Sequence, residues 1–413
     1  MGLTKRLLEE MEARMARGYD VPDRGKQFVC NNHFLNPYIK RFIVRNSHIG
    51  KCSYCGKSEQ VTDLADLVEH IATRLTDYLG NIEDQGLYCA SSFMDKDDEE
   101  LNVPGWDECC GLIKPADERV YESFDEVACD FDCLPDNDKL FDDIDSCFFI
   151  NNWIRKDPVS LEPNEELTYA WRDYTHEIIK TISDNGIDHT KSYNPDDLLK
   201  RCKSKLGEYG MRNAIDVVDD CALLAGKLIK ALPVGSVIYR GRPDDKGHTY
   251  SQFNDLTSAP LPYAKPNRLS QSGVSVFYGS FDSETPVREI LNYCNGNKPV
   301  ISLGCFETKI PLEVIDFTDI PRANFWMDGD DWQDYLFLKQ FHEEITHAVS
   351  DRLNHIEYVP TQVFVDMLRR HFPNVGGIKY KSSLTGKANI CLFYDNTLST
   401  SVLKLNSTKI IQV

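Results

Sequence analysis

Val237-Ile238-Tyr239-Arg240-Gly241-Arg242-Pro243 opens the part of this chain that decides its fold. It follows Leu232-Pro233-Val234-Gly235, where the residue pattern changes. Beyond it, short runs rich in β-branched and aromatic side chains predict strands over 237–240, 274–279, 300–304, 314–317, 377–381, 390–394 and 409–413. Helical patterns lie between them over 331–349 and 361–371. Before it, apolar residues recur at three- and four-residue steps, predicting helices over 3–17, 62–80, 164–184, 194–206 and 213–231. Helices and strands are segregated, which predicts an α+β chain: a helical N-terminal region and a C-terminal mixed β-sheet domain. The expected segments are 1–90 (helical, with a Cys/His knuckle), 91–150 (acidic), 151–230 (helical) and 231–413.

The chain has 413 residues, 41% hydrophobic and 11% aromatic, enough for more than one core. Its 46 Lys+Arg face 65 Asp+Glu, for a formal net charge of −19. Residues 91–150 alone hold 19 acidic and 4 basic side chains, so the charge is local. Such a chain repels phosphate backbones, and general nucleic-acid binding is not expected. No apolar run approaches the roughly 18 residues of a membrane helix. Met1-Gly2-Leu3-Thr4-Lys5-Arg6 leads into a charged helical pattern, not a signal peptide, so a cytoplasmic protein with reduced thiols is expected. There is no G-x-G-x-x-G and no P-loop, so hydride transfer and kinase chemistry have no anchor.

Cys30-Asn31-Asn32-His33 and Cys52-Ser53-Tyr54-Cys55-Gly56 form a C-x2-H pair and a C-x2-C-G knuckle. Two residues between ligands let a tight turn present both side chains to one tetrahedral ion. Cys30, His33, Cys52 and Cys55 would fill a closed structural zinc site; ordinary thiols are the alternative. Two other patterns point less far. His342-Glu343-Glu344-Ile345-Thr346-His347 spaces its histidines by five, where a zinc-protease helix needs four, and reads as a charged exposed helix face. Arg172-Asp173-Tyr174-Thr175-His176 is one residue short of the Arg-x4–6-His of HEPN ribonucleases.

The C-terminal constellation combines Arg240 and Arg242 at a strand end, Arg268 in a Ser-rich loop, Tyr278 ending the next strand, Glu284 and Glu289 on a short helix, and Ser382 in Gly377-Ile378-Lys379-Tyr380-Lys381-Ser382. A guanidinium fork suits a diphosphate, and a phenol ring suits stacking on a flat heterocycle. A carboxylate can stabilise positive charge developing on a sugar carbon.

This ordered set resembles the RES domain family over roughly residues 231–400. Arg240 matches its first Arg, Arg268 its loop Arg, Tyr278 its strand-ending Tyr, Glu289 its Glu with Glu284 in the accompanying "ET", and Ser382 its Ser. Pro266-Asn267-Arg268-Leu269 stands where the family has Gly-Gly-Arg-Trp, and Pro286 where it has Ala. The N-terminal part, with the Cys/His cluster and the helix around Trp171, is similar to the HEPN/RES N-terminal region. The resemblance implies an ADP-ribosyltransferase-like fold and an enzyme with NAD as substrate. It implies a toxin or defence effector cleaving the nicotinamide–ribose bond as glycohydrolase or phosphorylase, or an ADP-ribosyltransferase modifying a protein. Arg240, Tyr278, Glu289 and Ser382 would be catalytic, with Arg268, Arg242 and Glu284 binding NAD. Implied partners are an antitoxin or regulatory protein and further copies of the chain, in a toxin–antitoxin or phage-defence setting. A binding module with a zinc-containing recognition region and weak catalysis is the competing expectation. The acidic segment is a candidate gate over the arginine-lined site.

Overall fold

The computed structural model describes residues 13–85, 119–158, 160–202, 214–244, 247–293, 299–329, 331–347 and 356–412. The first part of the 3–17 helix, residues 91–118 of the acidic segment with Cys109 and Cys110, and the end of the 194–206 helix lie outside these. The chain divides into two compact units, Met1–Leu161 with Asn324–Gly329, and Glu162–Ala323 with Asp330–Val413. Among the described residues, no helix is long and apolar enough to cross a membrane.

The first unit contains β1 (Phe28–Cys30), α1 (Pro37–Arg45), β2 (His48–Lys51), β3 (Ser58–Asp63), α2 (Leu64–Tyr78), β4 (Leu79–Asn81), α3 (Phe124–Asp130), α4 (Asp138–Asp145) and β5 (Trp153–Arg155). Asp63 caps α2, its Oδ1 accepting the Ala65 N–H at 2.9 Å. The helix buries Leu64, Leu67, Val68, Ile71 and Leu75, the expected stripe. Alongside the helices stands a three-stranded antiparallel sheet, β1-β3-β2. Its strands are short and largely polar, so they carry no apolar alternation to read. In the described half of the acidic segment, α3 and α4 bury Phe124, Val127, Leu140 and Ile144 and leave acidic side chains at their surface.

The second unit is built on α5 (Pro163–Asp184), α6 (Pro195–Arg201), α7 (Ala214–Ala225), β6 (Ile229–Leu232), β7 (Val237–Asp244), β8 (Phe277–Ser280), α8 (Thr285–Tyr293), β9 (Val300–Thr308), β10 (Leu312–Asp316), α9 (Asp331–Thr346), α10 (Val359–His371), β11 (Val375–Lys381), β12 (Ala388–Leu392) and β13 (Leu403–Gln412). The 213–231 helical pattern is corrected here: helix α7 ends at Ala225, and Ile229–Leu232 is strand β6. A short apolar run at the end of a helical pattern fits either state, and pairing with β10 decides it. The eight strands form one mixed sheet in the order β13-β9-β7-β8-β12-β11-β10-β6, in which β10 and β11 are parallel and the other neighbours antiparallel.

Alternation sorts the sheet's two faces. Ile390 and Leu392 of β12 join Ile238, Phe277, Phe306 and Leu403 in one core. Cys391 and Ile378 face the other way, into a core with Trp171, Tyr174, Val218, Phe341 and Phe364 from helices α5, α7, α9 and α10. Helices α5 and α7, upstream of residue 230, thus join α9 and α10 in covering one face of the sheet. The sheet is also split. β7 pairs with β9 along eight positions but with β8 only at Tyr239↔Ser280. A Cβ at Gly279 would lie 2.4 Å from Ile238 Cγ2 and 3.1 Å from the Tyr239 oxygen, so glycine permits the close approach at that single crossing.

Candidate functional site

The site is assembled where β7 and β8 part. Arg240 directly follows the crossing residue Tyr239, and its Nη1 donates across the split to the Tyr278 carbonyl at 2.8 Å. Its guanidinium carbon sits 5.3 Å from the Phe277 ring centroid. Burial pushes the Arg240 pKa down to about 10, which still leaves a cation at neutral pH.

Tyr278 projects to the helical face of β8. Its hydroxyl oxygen accepts the Leu269 N–H at 3.2 Å and shares a hydrogen bond with Ser270 Oγ at 3.2 Å. It therefore anchors the turn that carries Arg268, which closes through Asn267 N–H to the Ser270 carbonyl at 2.8 Å. Gln362 holds the same turn from α10, donating to the Asn267 and Ser270 carbonyls at 2.7 and 3.2 Å. Arg268 Nη1 donates to the Ile345 carbonyl at 2.8 Å, and its guanidinium carbon is 5.3 Å from the Tyr358 ring centroid. Burial, with Cys391 and Tyr380 close by, raises the Tyr278 phenol well above its ordinary value, so it is a neutral hydroxyl.

Glu289, on α8, is the centre of the tightest contact. Ser382 Oγ donates to Glu289 Oε1 at 2.6 Å, and Asn389 Nδ2 donates to the same oxygen at 2.9 Å. Ser382 and Asn389 are each 4% exposed. Ser382 begins a turn closed by its own N–H to the Lys387 carbonyl and by Gly386 N–H to the Ser382 carbonyl, both 2.8 Å. Gly386 takes φ +69° there, a conformation that favours glycine. Burial raises the Tyr380 phenol, with Cys391 and then Glu289 adding to the effect while Arg268 opposes it. Tyr380 is thus the phenol that lies within electrostatic reach of both Glu289 and Arg268.

Arg240, Arg268, Tyr278, Glu289 and Ser382 therefore gather around one region of the sheet. Arg242 and Glu284 stand apart. Arg242 is exposed, lies 3.9 Å over the Tyr250 ring and donates to the Asp255 carbonyl at 2.6 Å. Glu284 is exposed, pairs with Arg288 and Lys387, and lines a cleft of about 450 Å³ with Tyr239 and Cys305. Glu284 precedes the first residue of α8 and turns toward Arg288 and Lys387, whereas Glu289 lies within the helix and faces Ser382 and Asn389. Asn389, Tyr380 and Gln362 were not singled out from sequence; the one available signal was an Asn inside an otherwise apolar strand.

In the N-terminal unit, the ligand atoms of Cys30, His33, Cys52 and Cys55 all lie within 4.8 Å of one another. Cys30 Sγ and Cys55 Sγ are 3.7 Å apart, and Cys52 Sγ and His33 Nε2 are 3.4 Å apart. Tetrahedral zinc with bonds of about 2.3 Å to sulfur and 2.0 Å to nitrogen sets these edges near 3.8 and 3.5 Å. The donor set therefore fits the ion. His33 Nδ1 bonds Asp136 Oδ1 at 2.7 Å, and Asp136 N–H donates to the His33 carbonyl at 2.9 Å, so one residue fixes both ring and backbone. The remaining patterns resolve differently. Arg172 bonds Glu344 through Nε and Nη2 at 3.0 and 2.8 Å. His342 is 6% exposed, which corrects its placement on an exposed helix face: α9 turns this position onto the sheet.

Residues 238–404 match the RES domain model, and residues 45–182 match HEPN/RES N-terminal domain 1. The chain carries a RES domain. Its first matched residues open the split strand β7, and the match runs past Ser382 and Asn389 into β13. The HEPN/RES N-terminal domain ends within α5, so it spans the division between the two compact units. No curated protein matches the chain. Among solved structures, the chain is similar to one in the crystal structure of the M. tuberculosis MbcT–MbcA toxin–antitoxin complex, at 8% identity and a TM-score of 0.28, covering 46% of this chain and 91% of that one.

Proposed function

We propose that the RES domain cleaves the nicotinamide–ribose bond of NAD. The observation that carries this reading is the Glu289 carboxylate. Its Oε1 is fixed by two donors from buried residues, Ser382 and Asn389, while no donor among the described residues reaches Oε2. A carboxylate held by one oxygen, with the other open, is suited to a ribose hydroxyl beside a carbon gaining positive charge.

The C1′–N bond breaks with its electron pair passing to the nicotinamide nitrogen. Nicotinamide leaves neutral, so the leaving group needs no proton. Glu289 supports the oxocarbenium-like ribose through the hydroxyl it accepts. Arg240 and Arg268 supply cationic forks for the pyrophosphate. Tyr278 contributes twice, holding the Arg268 turn through its hydroxyl and offering its ring near the nicotinamide. Ser382 orients Glu289 and the nicotinamide-ribose end. Water, phosphate or a protein side chain then captures C1′. Arg242 and Glu284, directed elsewhere, act at most at the margin of the NAD site.

The toxin reading follows from the family, because an unrestrained NAD-cleaving enzyme would harm its own cell; a neutralising protein is its natural partner. The Cys/His cluster is proposed as a structural zinc site, with all four positions taken by protein. The test is incubation of the full chain with NAD. Release of nicotinamide that Arg240→Ala and Glu289→Ala each abolish supports the enzyme. Products then separate the chemistries: ADP-ribose for hydrolysis, ADP-ribose-1″-phosphate for phosphorolysis, protein-bound label for transfer. Absence of release, with phosphate and candidate protein acceptors present, favours the binding module instead.

A further inference from the structure

The geometry points to His342 as a positioning residue for Ser382, acting through the backbone and not through substrate. This rests on the reading of Ser382 and Glu289 as part of an NAD-cleaving site. β10 runs beside β11 as far as Asp316↔Lys379, and Phe317 N–H then donates to the Lys379 carbonyl at 2.9 Å. Past that point β10 turns away, Thr318 N–H closing back on Asp316 Oδ1 at 2.9 Å. Alternation leaves the Lys381 N–H facing the side that β10 has vacated. A backbone donor in such a place needs an acceptor, and His342 Nε2 supplies it at 3.3 Å. Ser382 is the next residue.

The imidazole is itself held. It lies against the Phe317 ring, 5.7 Å between centroids and 8° between planes. Burial, reinforced by the Lys381 charge and opposed by Asp316, lowers its pKa to about 4. The ring is therefore neutral at physiological pH, with the Nε2 lone pair free to accept and the proton on Nδ1. The end of β11 is thus fixed on one side by His342 and on the other by the 382–387 turn. Between these two constraints the Ser382 hydroxyl is aimed at Glu289.

Two variants of the full chain test this. His342→Gln keeps an acceptor that can reach the Lys381 N–H; His342→Leu fills the space and accepts nothing. The expected result is a loss of about 10-fold in kcat for His342→Leu, no more than loss of the Ser382 hydroxyl itself. KM should change little, and His342→Gln should recover most of the rate. Hydrogen exchange at the Lys381 amide should be slow in the wild type and His342→Gln, and fast in His342→Leu. A folded His342→Leu chain with wild-type kcat overturns the inference, as does a His342→Gln chain no better than His342→Leu. Should the wild type release no nicotinamide, the NAD reading fails on its own. Amide exchange then decides the His342 contact separately, and equal protection of Lys381 in wild type and His342→Leu removes it.

Discussion

Ser382 and Glu289 lie 93 positions apart in the chain and share a hydrogen bond of 2.6 Å. The donor is a hydroxyl at the end of a strand and the acceptor a carboxylate on a helix that packs beside β7 and β8. The bond fixes the direction of Glu289 Oε1, Asn389 donates to the same oxygen, and no donor among the described residues reaches Oε2.

Ser382→Ala removes one of the two donors to Glu289 and leaves the charge. Nicotinamide release should fall about 10- to 100-fold, mostly in kcat, because the group lost acts through orientation. Glu289→Gln keeps the shape and removes the charge, and should cost about 10²–10³-fold, as for loss of a transition-state electrostatic contact. Steady-state assays on the two variants check the order; a larger loss for Ser382→Ala than for Glu289→Gln would reverse the assigned roles.

Arg240→Ala should affect both activity and stability. It deprives the Tyr278 carbonyl of its side-chain donor across the split sheet, a loss on the order of 1–3 kcal/mol for a buried group. Arg240→Lys keeps the cation without the planar fork, so it should recover stability better than activity. Denaturant titrations alongside NAD assays separate the two effects.

Tyr278→Phe keeps the ring and removes the hydroxyl that Leu269 and Ser270 bond. The ring's packing survives, but the Arg268 turn loses an anchor worth about 1 kcal/mol. The expected signature is a raised KM for NAD with a smaller change in kcat. An unchanged KM would show that Gln362 alone holds the turn.

Metal analysis should find about one zinc per chain, and a chelator should destabilise the N-terminal unit, since such sites couple binding to folding. Asp136→Ala should weaken zinc binding about 10- to 100-fold, because it removes the carboxylate that orients His33. Zinc content well under half an equivalent in freshly purified protein would refute the site.

Acid should weaken the fold through His342. Its pKa is lowered from 6.5 to about 4, so below pH 6.5 the unfolded chain takes up a proton that the folded chain refuses. The contribution is whole above pH 6.5 and is lost as pH falls toward 4. Lys381 and Asp316 face the same ring, and the Lys379–Asp316 ion pair at 2.8 Å adjoins it. The difference in stability between wild type and His342→Gln should therefore shrink or reverse across that window. A constant difference from pH 7 to pH 4 would count against a neutral buried imidazole.

Sequence carried the elements and the family further than it carried the site. The β-rich runs after Val237 and the two helices between them overlap the observed elements, because each has one face to bury, although β8 begins three residues later and β13 six residues earlier than expected. The four zinc-type ligands were legible because their spacing is local, and the fold needed only to bring two short turns together. Sequence misplaced His342, whose acidic neighbours mask a position that α9 turns inward, and misread Ile229–Leu232, whose pairing partner lies 80 residues downstream.

Composition and order alone determined that this chain is α+β, that its acid is concentrated in one segment, and which arginines, tyrosine, glutamates and serine the resemblance to a RES domain singles out. Only the tertiary structure decided which of these meet. It placed Glu289 against Ser382 and Asn389, stretched Arg240 across a break in the sheet, and sent Arg242 and Glu284 elsewhere. The physical reason is that a side chain's identity is written at its own position, whereas its direction depends on strand alternation, helix phase and the neighbour that supplies its hydrogen-bond partner, and those partners lie tens to hundreds of residues away.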